Sequence, residues 1–493
     1  MAEPNWNNRT LFVADNIRIL RGMNSESVDC IATDPPFNKK RIFNAPLGSR
    51  QAEQRFDDRW RWDEVTDEWQ DLIATDHPAI KEIIEAAVVI EGGKVDHHTG
   101  RISTGRVKNS MAAFLAYMAP RVVEMHRVLK PTGVLLMQCD TEANAYLRLL
   151  LDAVFGRKKF INEITRRRAV EKGDPTRRLA NNSDTVLAYG KTTRHKWNPQ
   201  FVPYNMAVLN SASLDDPNLD EDTRKTLQQY KHFDGPRRYS LDNLVEQSKN
   251  RPNLTYEFLG VTRVWRWRRE RMEAEYAAGR VVQTKPGNVP RYKRYLDEQP
   301  GRKRDDIWDD VWKLESSELD WDTRKPLSLY KRLIECGSDE SDIVLDPFAG
   351  CATACVAAEV TGRQWVGIDI DPVAEDATFT RLREATGLNM TEQPVTVRKS
   401  PPRRQDVERV PDDKLRDALW SRQARRCANP YCDSENLRKV DLQLDHRIPR
   451  IRGGDDGVLN RIALCANCNA RKGAKAWGRF LDEERAKLPH DRV

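Results

Sequence analysis

Val344-Leu-Asp346-Pro347-Phe348-Ala349-Gly350 opens the stretch that decides the fold, and Gln364-Trp-Val-Gly367-Ile368-Asp369-Ile-Asp371 closes it. An apolar strand runs into a glycine turn, a helical run follows, and a second apolar strand ends in an acid. That order is the logic of a nucleoside site on a parallel sheet: glycine admits close backbone approach and the acid grips a ribose diol. A Gly-x-Gly-x-x-Gly phosphate cradle is absent. The pattern therefore argues against a dinucleotide and for an adenosine cofactor without pyrophosphate, such as S-adenosylmethionine.

Outward from this stretch, strand-like runs at 11–14, 28–33, 134–139, 343–345 and 365–370 alternate with helical patterns. They predict an α/β domain of Rossmann-like type with a mostly parallel sheet over residues 1–390. Between about Arg194 and Arg304 the pattern degrades into Pro-, Asn-, Arg- and Trp-rich sequence, expected to be an insertion and not sheet core. TVRKSPPRRQDVERVPDD, with paired prolines and dense charge, reads as a linker over 391–413, leaving 414–493 as a small separate domain.

The 493 residues exceed one ordinary domain, and 39% hydrophobic residues suffice for more than one core. No run reaches the roughly 18 apolar residues of a membrane span, so a cytoplasmic protein is the expectation. The net charge is +7, and the segment from Arg416 onward, with 17 basic and 11 acidic residues, holds +6 of it. A compact basic domain is the footprint expected for contact with nucleic acid. Cysteines divide the same way. Cys427, Cys432, Cys465 and Cys468 form C-x4-C and C-x2-C pairs, the spacing of a structural Zn2+ site, whereas the other five are scattered among apolar neighbours.

The second informative fragment is Ile31-Ala-Thr-Asp34-Pro35-Pro36-Phe37-Asn38, placed where a strand ends. A carboxylate followed by two prolines and an aromatic makes a rigid turn at the carboxyl edge of a sheet. Such a turn suits an exocyclic amine. Asp34 and the Pro35 carbonyl can accept from an NH2 group, and Phe37 can stack on the base that carries it.

With these residues in order the chain resembles the DNA amino-methyltransferases of adenine N6 or cytosine N4, in the arrangement where the catalytic (D/N/S)PP(Y/F/W) motif precedes the cofactor FxG motif. The resemblance spans residues 9 to about 380 and includes Ala14-Asp15-Asn16, MHRVLKPTGVLLMQCD, FINEITRRR, NNSDTVLAYGKTT and Thr323-Arg-Lys325-Pro. It implies that Asp34, Pro35, Pro36 and Phe37 are catalytic. It also implies that Asp15, Thr323, Lys325, Asp346, Phe348, Gly350 and Asp369 serve S-adenosylmethionine. Methyl transfer is then direct, onto a base flipped out of double-stranded DNA. Adenine is favoured over cytosine by the DPP form. One departure is Ala352, where the family usually has glycine; the change is expected to be tolerated in the first helical turn, with crowding of the cofactor by the added methyl as the alternative. DNA recognition is expected in the insertion, where VTRVWRWRR over 261–269 interleaves guanidinium and indole groups.

In the C-terminal segment, Asp445-His446, Gly453-Gly454, Asn460 and Cys468-Asn469-Ala-Arg-Lys472-Gly473 follow one another between and after the cysteine pairs. This resembles the HNH nucleases and their ββα-metal core, over about 424–476. The resemblance makes His446 the general base and Asn460 the residue that orients its loop. Asp445 and Asn469 become ligands of a catalytic Mg2+ or Mn2+, and the four cysteines hold structural zinc. A zinc fold that only binds DNA is the alternative, and a homodimer stays open.

Overall fold

The computed structural model describes residues 3–36, 42–44, 55–57, 60, 62, 77–96, 101–103, 110–168, 179–247, 251–311, 313–314, 321, 324–387, 394–434 and 437–487. Phe37 and Thr323 lie outside the described residues. Two compact units emerge, one of residues 1–198 with 305–493 and the other of residues 199–304.

Among the described residues of the first unit, nine strands make one sheet. They are β1 (Thr10–Val13), β2 (Val28–Thr33), β3 (Leu129–Cys139), β4 (Phe160–Arg167), β5 (Ser183–Gly190), β6 (Ile307–Trp308), β7 (Ile343–Asp346), β8 (Gln364–Asp369) and β9 (Thr396–Arg398). Their spatial order is β6-β4-β5-β3-β2-β7-β8-β1-β9. Every pairing is parallel except those of β5, which runs antiparallel to β3 and β4. The parallel sheet expected from sequence is thus present. Four strands were not expected: β4 and β5 lie within quoted family blocks, β6 follows the insertion directly, and β9 falls inside the stretch read as a linker.

Helices cover both faces, which is why β2 is buried at all six positions. On one face Ile31, Leu135 and Met137 pack with α1 (Asn16–Gly22), α2 (Pro78–Ile90), α3 (Met111–Val128) and α4 (Asn144–Leu151). On the other, Cys30, Ala32, Val134 and Leu136 pack with α5 (Leu327–Gly337) and α6 (Thr353–Val360). α7 (Val373–Thr386) follows β8. β2 and β7 are neighbours, yet their chains continue to opposite sides, to β3 and to β8. Such a switch point opens a crevice at the carboxyl ends of the two strands, and both quoted motifs sit there.

The C-terminal residues form α8 (Asp412–Arg422), an antiparallel pair β10 (Leu442–His446) and β11 (Arg461–Cys465), then α9 (Ala466–Lys472) and α10 (Trp477–Arg485). This is the ββα order expected. Residues 401–409 run as a strap against both lobes. Asn5 Nδ2 donates to the Arg403 carbonyl, the Ser25 amide to Asp406, and the Val458 amide to the Glu408 carbonyl.

Residues 199–304 have their own small core of Leu244, Phe258, Val261, Trp265, Met272 and Val281. A four-stranded antiparallel sheet and the hairpin Thr255–Phe258/Val261–Val264 build it. In VTRVWRWRR the alternation separates the two side-chain types. Trp265 is fully buried, its Nε1 donating to the Tyr256 carbonyl, while Arg263, Arg266, Arg268 and Arg269 are exposed. No helix among the described residues is long and apolar enough to cross a membrane.

Candidate active sites

β2 delivers Asp34 to the crevice, and Pro35 and Pro36 follow it. The Lys325 ammonium, from the turn before α5, pairs with Asp34 Oδ2. The other oxygen, Oδ1, is buried and has no hydrogen-bond partner. Burial pushes the Asp34 carboxyl up and the Lys325 charge opposes that shift. A buried acceptor without a donor is costly, on the order of 1–3 kcal/mol, so its presence marks a place where a donor is expected to arrive.

β7 delivers Asp346 alongside. Its Oδ1 accepts from Thr33 Oγ1 at 2.7 Å and from the Phe348 amide at 3.1 Å. Burial pushes this carboxyl up to about 7, and the two donors hold it down only in part. Phe348 packs on Tyr117 of α3 at 6.4 Å between ring centres. Asp369, at the end of β8, accepts from the Gly350 amide at 2.7 Å and from the Asp371 amide at 2.8 Å, and burial raises it to about 6. Gly350 takes φ +51°, and a Cβ there would meet the Trp321 indole at 3.7 Å. The cofactor turn is thus a glycine-lined ledge closed by an indole and flanked by carboxylates, a donor set that fits an adenosyl group.

Ala352 occupies the left-handed region at φ 57°, ψ 33° and caps α6. Its methyl is fully buried and packs in the core with Cys30 and Val356. Alanine in this region carries a conformational cost that glycine does not.

Asp15 caps α1, accepting from the Ile17 amide, and pairs with Arg121 at 2.9 Å. The neighbouring Asn16 accepts from Arg121 Nε at 2.7 Å and donates to the Pro347 carbonyl at 2.8 Å. Asn16, Arg121, Thr33 and Trp321 were missed by sequence reading. Asn16 lay within the quoted Ala14-Asp15-Asn16 and Thr33 within Ile31-Ala-Thr-Asp34; Arg121 and Trp321 carry no spacing signal, because what they meet comes from distant elements.

In the small lobe the Sγ atoms of Cys427, Cys432, Cys465 and Cys468 all lie within 4.8 Å of one another. Tetrahedral zinc with bonds of about 2.3 Å needs sulfurs about 3.8 Å apart, and the Cys432 to Cys465 separation is 3.8 Å. Sulfur also accepts N–H bonds from Asn429, Arg471 and the amides of Ser434, Cys465 and Cys468. Donors surrounding four converging thiols fit a closed metal centre.

His446 ends β10, and its Nε2 meets Asp456 Oδ1 at 3.0 Å. Burial lowers the imidazole's pKa and Asp456 counters that. Asn460 accepts from the Ile448 amide and donates to the carbonyls of Ile448 and Asp455. Asp445 and Asn469 are otherwise engaged. Asp445 Oδ2 lies 2.9 Å from the fully buried Lys472 ammonium, and Asn469 Nδ2 donates to Gln443 at 2.6 Å. Asn469 would ligate an ion through Oδ1, which its bond to Gln443 does not use.

A nine-stranded, mostly parallel sheet is thus joined to a ββα lobe in which four cysteine thiols converge. A DNA methylase family model matches residues 28–379, more than two thirds of the chain, and the chain belongs to that N6/N4 DNA methylase family. An HNH endonuclease model matches residues 427–475. Type II methyltransferase M.EcaI of Enterobacter cloacae is 26% identical over 278 residues, 55% of this chain and 58% of its own length. The Type III restriction-modification enzyme StyLTI Mod subunit of Salmonella typhimurium is 23% identical over 372 residues, 72% of this chain and 50% of its own. The chain thus spans little more than half the length of these relatives. A DNA modification methylase of Thermus thermophilus, TTHA0409, solved with S-adenosyl-L-methionine, aligns at TM-score 0.34 and 15% identity, over 77% of this chain and 97% of that one.

Proposed function

We propose that the protein methylates the exocyclic amine of a base in double-stranded DNA, adenine N6 in preference to cytosine N4, using S-adenosylmethionine. The observation that carries this reading is the buried, unpartnered Asp34 Oδ1 beside the cofactor turn. When bound, S-adenosylmethionine supplies an electrophilic methyl group. Asp34 accepts one N–H of the amine, localising the nitrogen lone pair for attack, and takes the proton released once nitrogen has gained the methyl. Lys325 opposes the upward shift that burial imposes on the Asp34 carboxyl. Asp15, Asp346, Phe348, Gly350 and Asp369 hold the cofactor, with Thr323 on its methionine side. Phe37 stacks on the flipped base. The exposed arginines of residues 261–269 contact DNA.

For the HNH lobe, residues 414–493, the reading is DNA cleavage with His446 as base and Asn460 and Asp456 positioning its loop and ring. Methylation and cleavage in one cytoplasmic chain suit restriction-modification or phage defence. The pairing of Asp445 with Lys472 favours a second reading, a lobe that only binds DNA. An ion at Asp445 would have to displace the Lys472 ammonium.

Incubating the full chain with unmodified and modified DNA, with S-adenosylmethionine and Mg2+ or Mn2+ varied, tests all of this. Modified bases lost on Asp34→Ala support the methyltransferase, and cleavage lost on His446→Ala supports the nuclease. Absence of N6-methyladenine in a methylated product overturns the adenine reading, and absence of cutting under every condition leaves the binding module.

A further inference from the structure

The apolar underside of the sheet turns polar at its carboxyl edge. Cys30 and Ala32 of β2, Val134 and Leu136 of β3, Ile164 of β4, and Val186 and Ala188 of β5 form one buried face. Two residues nearer that edge on each strand, which on the antiparallel β5 means two residues earlier, the same rows continue as Asp34, Gln138, Arg166 and Asp184. β2 and β3 pair in register at Thr33 and Met137, so Asp34 and Gln138 follow side by side on adjacent chains, about 5 Å apart at the backbone.

Gln138 is 1% exposed. Its Nε2 donates to Asp184 Oδ2 at 3.2 Å, and that same oxygen takes Arg166 Nη2 at 3.0 Å. A carboxylate accepts and does not donate, so the NH2 end of the amide faces Asp184 and the carbonyl end faces away. That carbonyl oxygen, Oε1, is buried and has no partner, as is Asp34 Oδ1. Two unpartnered acceptors therefore stand next to one another at the crevice, and neither can satisfy the other. An exocyclic NH2 offers two N–H donors. On adenine or cytosine it is the sole donor group left once the base has left its pair.

We infer that Gln138 is a substrate-binding residue whose side-chain carbonyl takes one amine N–H while Asp34 takes another. The inference rests on the amine-methylating reading above and deepens it. Gln138 then shares with the Pro35 carbonyl the role of second acceptor. Asp184 and Arg166 act as positioning residues that hold the amide the right way round. The acceptor is retained in the buried edge at a cost to stability because the bound base supplies its donor.

The test uses the full chain, S-adenosylmethionine and a DNA that the wild type methylates, and compares Gln138→Leu and the longer, flexible Gln138→Met. Loss of one hydrogen bond predicts a single-turnover methylation rate lower by about 10- to 100-fold. Cofactor affinity by calorimetry and the thermal midpoint are expected to stay near those of the wild type. A rate within about twofold of the wild type in both variants overturns the inference. So does a fall in rate matched by loss of cofactor affinity or of the folded state in both, since that assigns Gln138 a structural role only. A wild type that methylates no DNA overturns the underlying reading, and the inference with it, and is recognised before any variant is made.

Discussion

Thr33 Oγ1 donates to Asp346 Oδ1 across the β2/β7 boundary at 2.7 Å, so the strand that runs into Asp34-Pro35-Pro36 is tied to the strand that runs into the Gly350 turn. Both partners are buried, at 1% and 3% exposure, which gives the bond its weight. Thr33→Val keeps the shape and removes the donor. The expected loss is about 1–2 kcal/mol of stability in urea titration, with Thr33→Ser restoring most of it. Equal stability of the valine variant would show that the bond does not hold the two edges together.

Asp346 also gives the methylase core a defined pH response. Burial raises its carboxyl from 3.8 to about 7 in the folded chain. Between pH 4 and 7 the folded state therefore keeps a proton that the unfolded state has released. Stability from this group is fully present at low pH, falls as pH rises through that window, and is flat above it. The full span is at most about 4 kcal/mol. Asp346→Asn cannot ionise yet keeps a carbonyl acceptor for Thr33 and Phe348. It should match the wild type near pH 4 and exceed it at pH 8 in chemical denaturation; a variant weaker at pH 8 would contradict the assignment.

Lys325 is the counter-charge to Asp34, and Lys325→Met should let burial push that carboxyl higher still. Asp34 must be ionised to take the proton that the amine releases. The acid limb of the methylation rate should therefore move to higher pH, with a fall of about tenfold or more at neutral pH. Single-turnover rates from pH 5.5 to 9 measure this, and an unmoved limb would separate Lys325 from the proton chemistry.

The strands that carry motifs were legible because each is an apolar run stopped by an acid and then proline or glycine: Val28–Thr33 before Asp34, and Ile343–Asp346 before Gly350. β4 and β5 were not, because their core-facing rows end in the buried pair Arg166–Asp184, and a charge in a core row breaks the hydrophobic pattern. β9 hid in VRKS because an edge strand needs few apolar residues. Arg121 was silent for another reason: a guanidinium reaching from α3 to Asn16 and Asp15 is a matter of tertiary placement, not of spacing. In the small lobe the zinc ligands were readable from spacing alone. That Asp445 would be held by Lys472 was not, since the ammonium comes from α9, 27 residues on.

The four cysteines should hold one zinc per chain, released together on chelation. Metal content by atomic spectroscopy is expected to fall to near zero in Cys468→Ser, whose sulfur is fully buried and takes bonds from Asn429 and Arg471. Because a structural site contributes folding energy directly, chelation should unfold residues 424–487 while the methylase sheet persists. Retention of native protease resistance in that lobe without metal would argue that its apolar residues, Ile462, Leu464 and Phe480, suffice.

The strap over residues 401–409 predicts how the two lobes of the first unit are held. A Cβ on Gly22 would come within 2.2 Å of the Pro402 carbonyl oxygen, and one on Gly453 within 2.8 Å of the Arg18 carbonyl oxygen. Arg404 bridges the two sides, bonding Ser25 Oγ at 3.0 Å and Asp455 at 3.0 Å. Gly22 ends α1 without a positive φ, so Gly22→Ala carries no backbone strain, and its whole effect is contact with the strap. The expected result is displacement of 401–409 with the sheet intact: tryptic cleavage at Arg403 and Arg404 accelerates, while methylase unfolding in urea changes little. Protection equal to the wild type would mean that the strap yields locally and that Arg404, with its bonds to Ser25 and Asp455, is what holds the lobes; Arg404→Ala would then open the same sites.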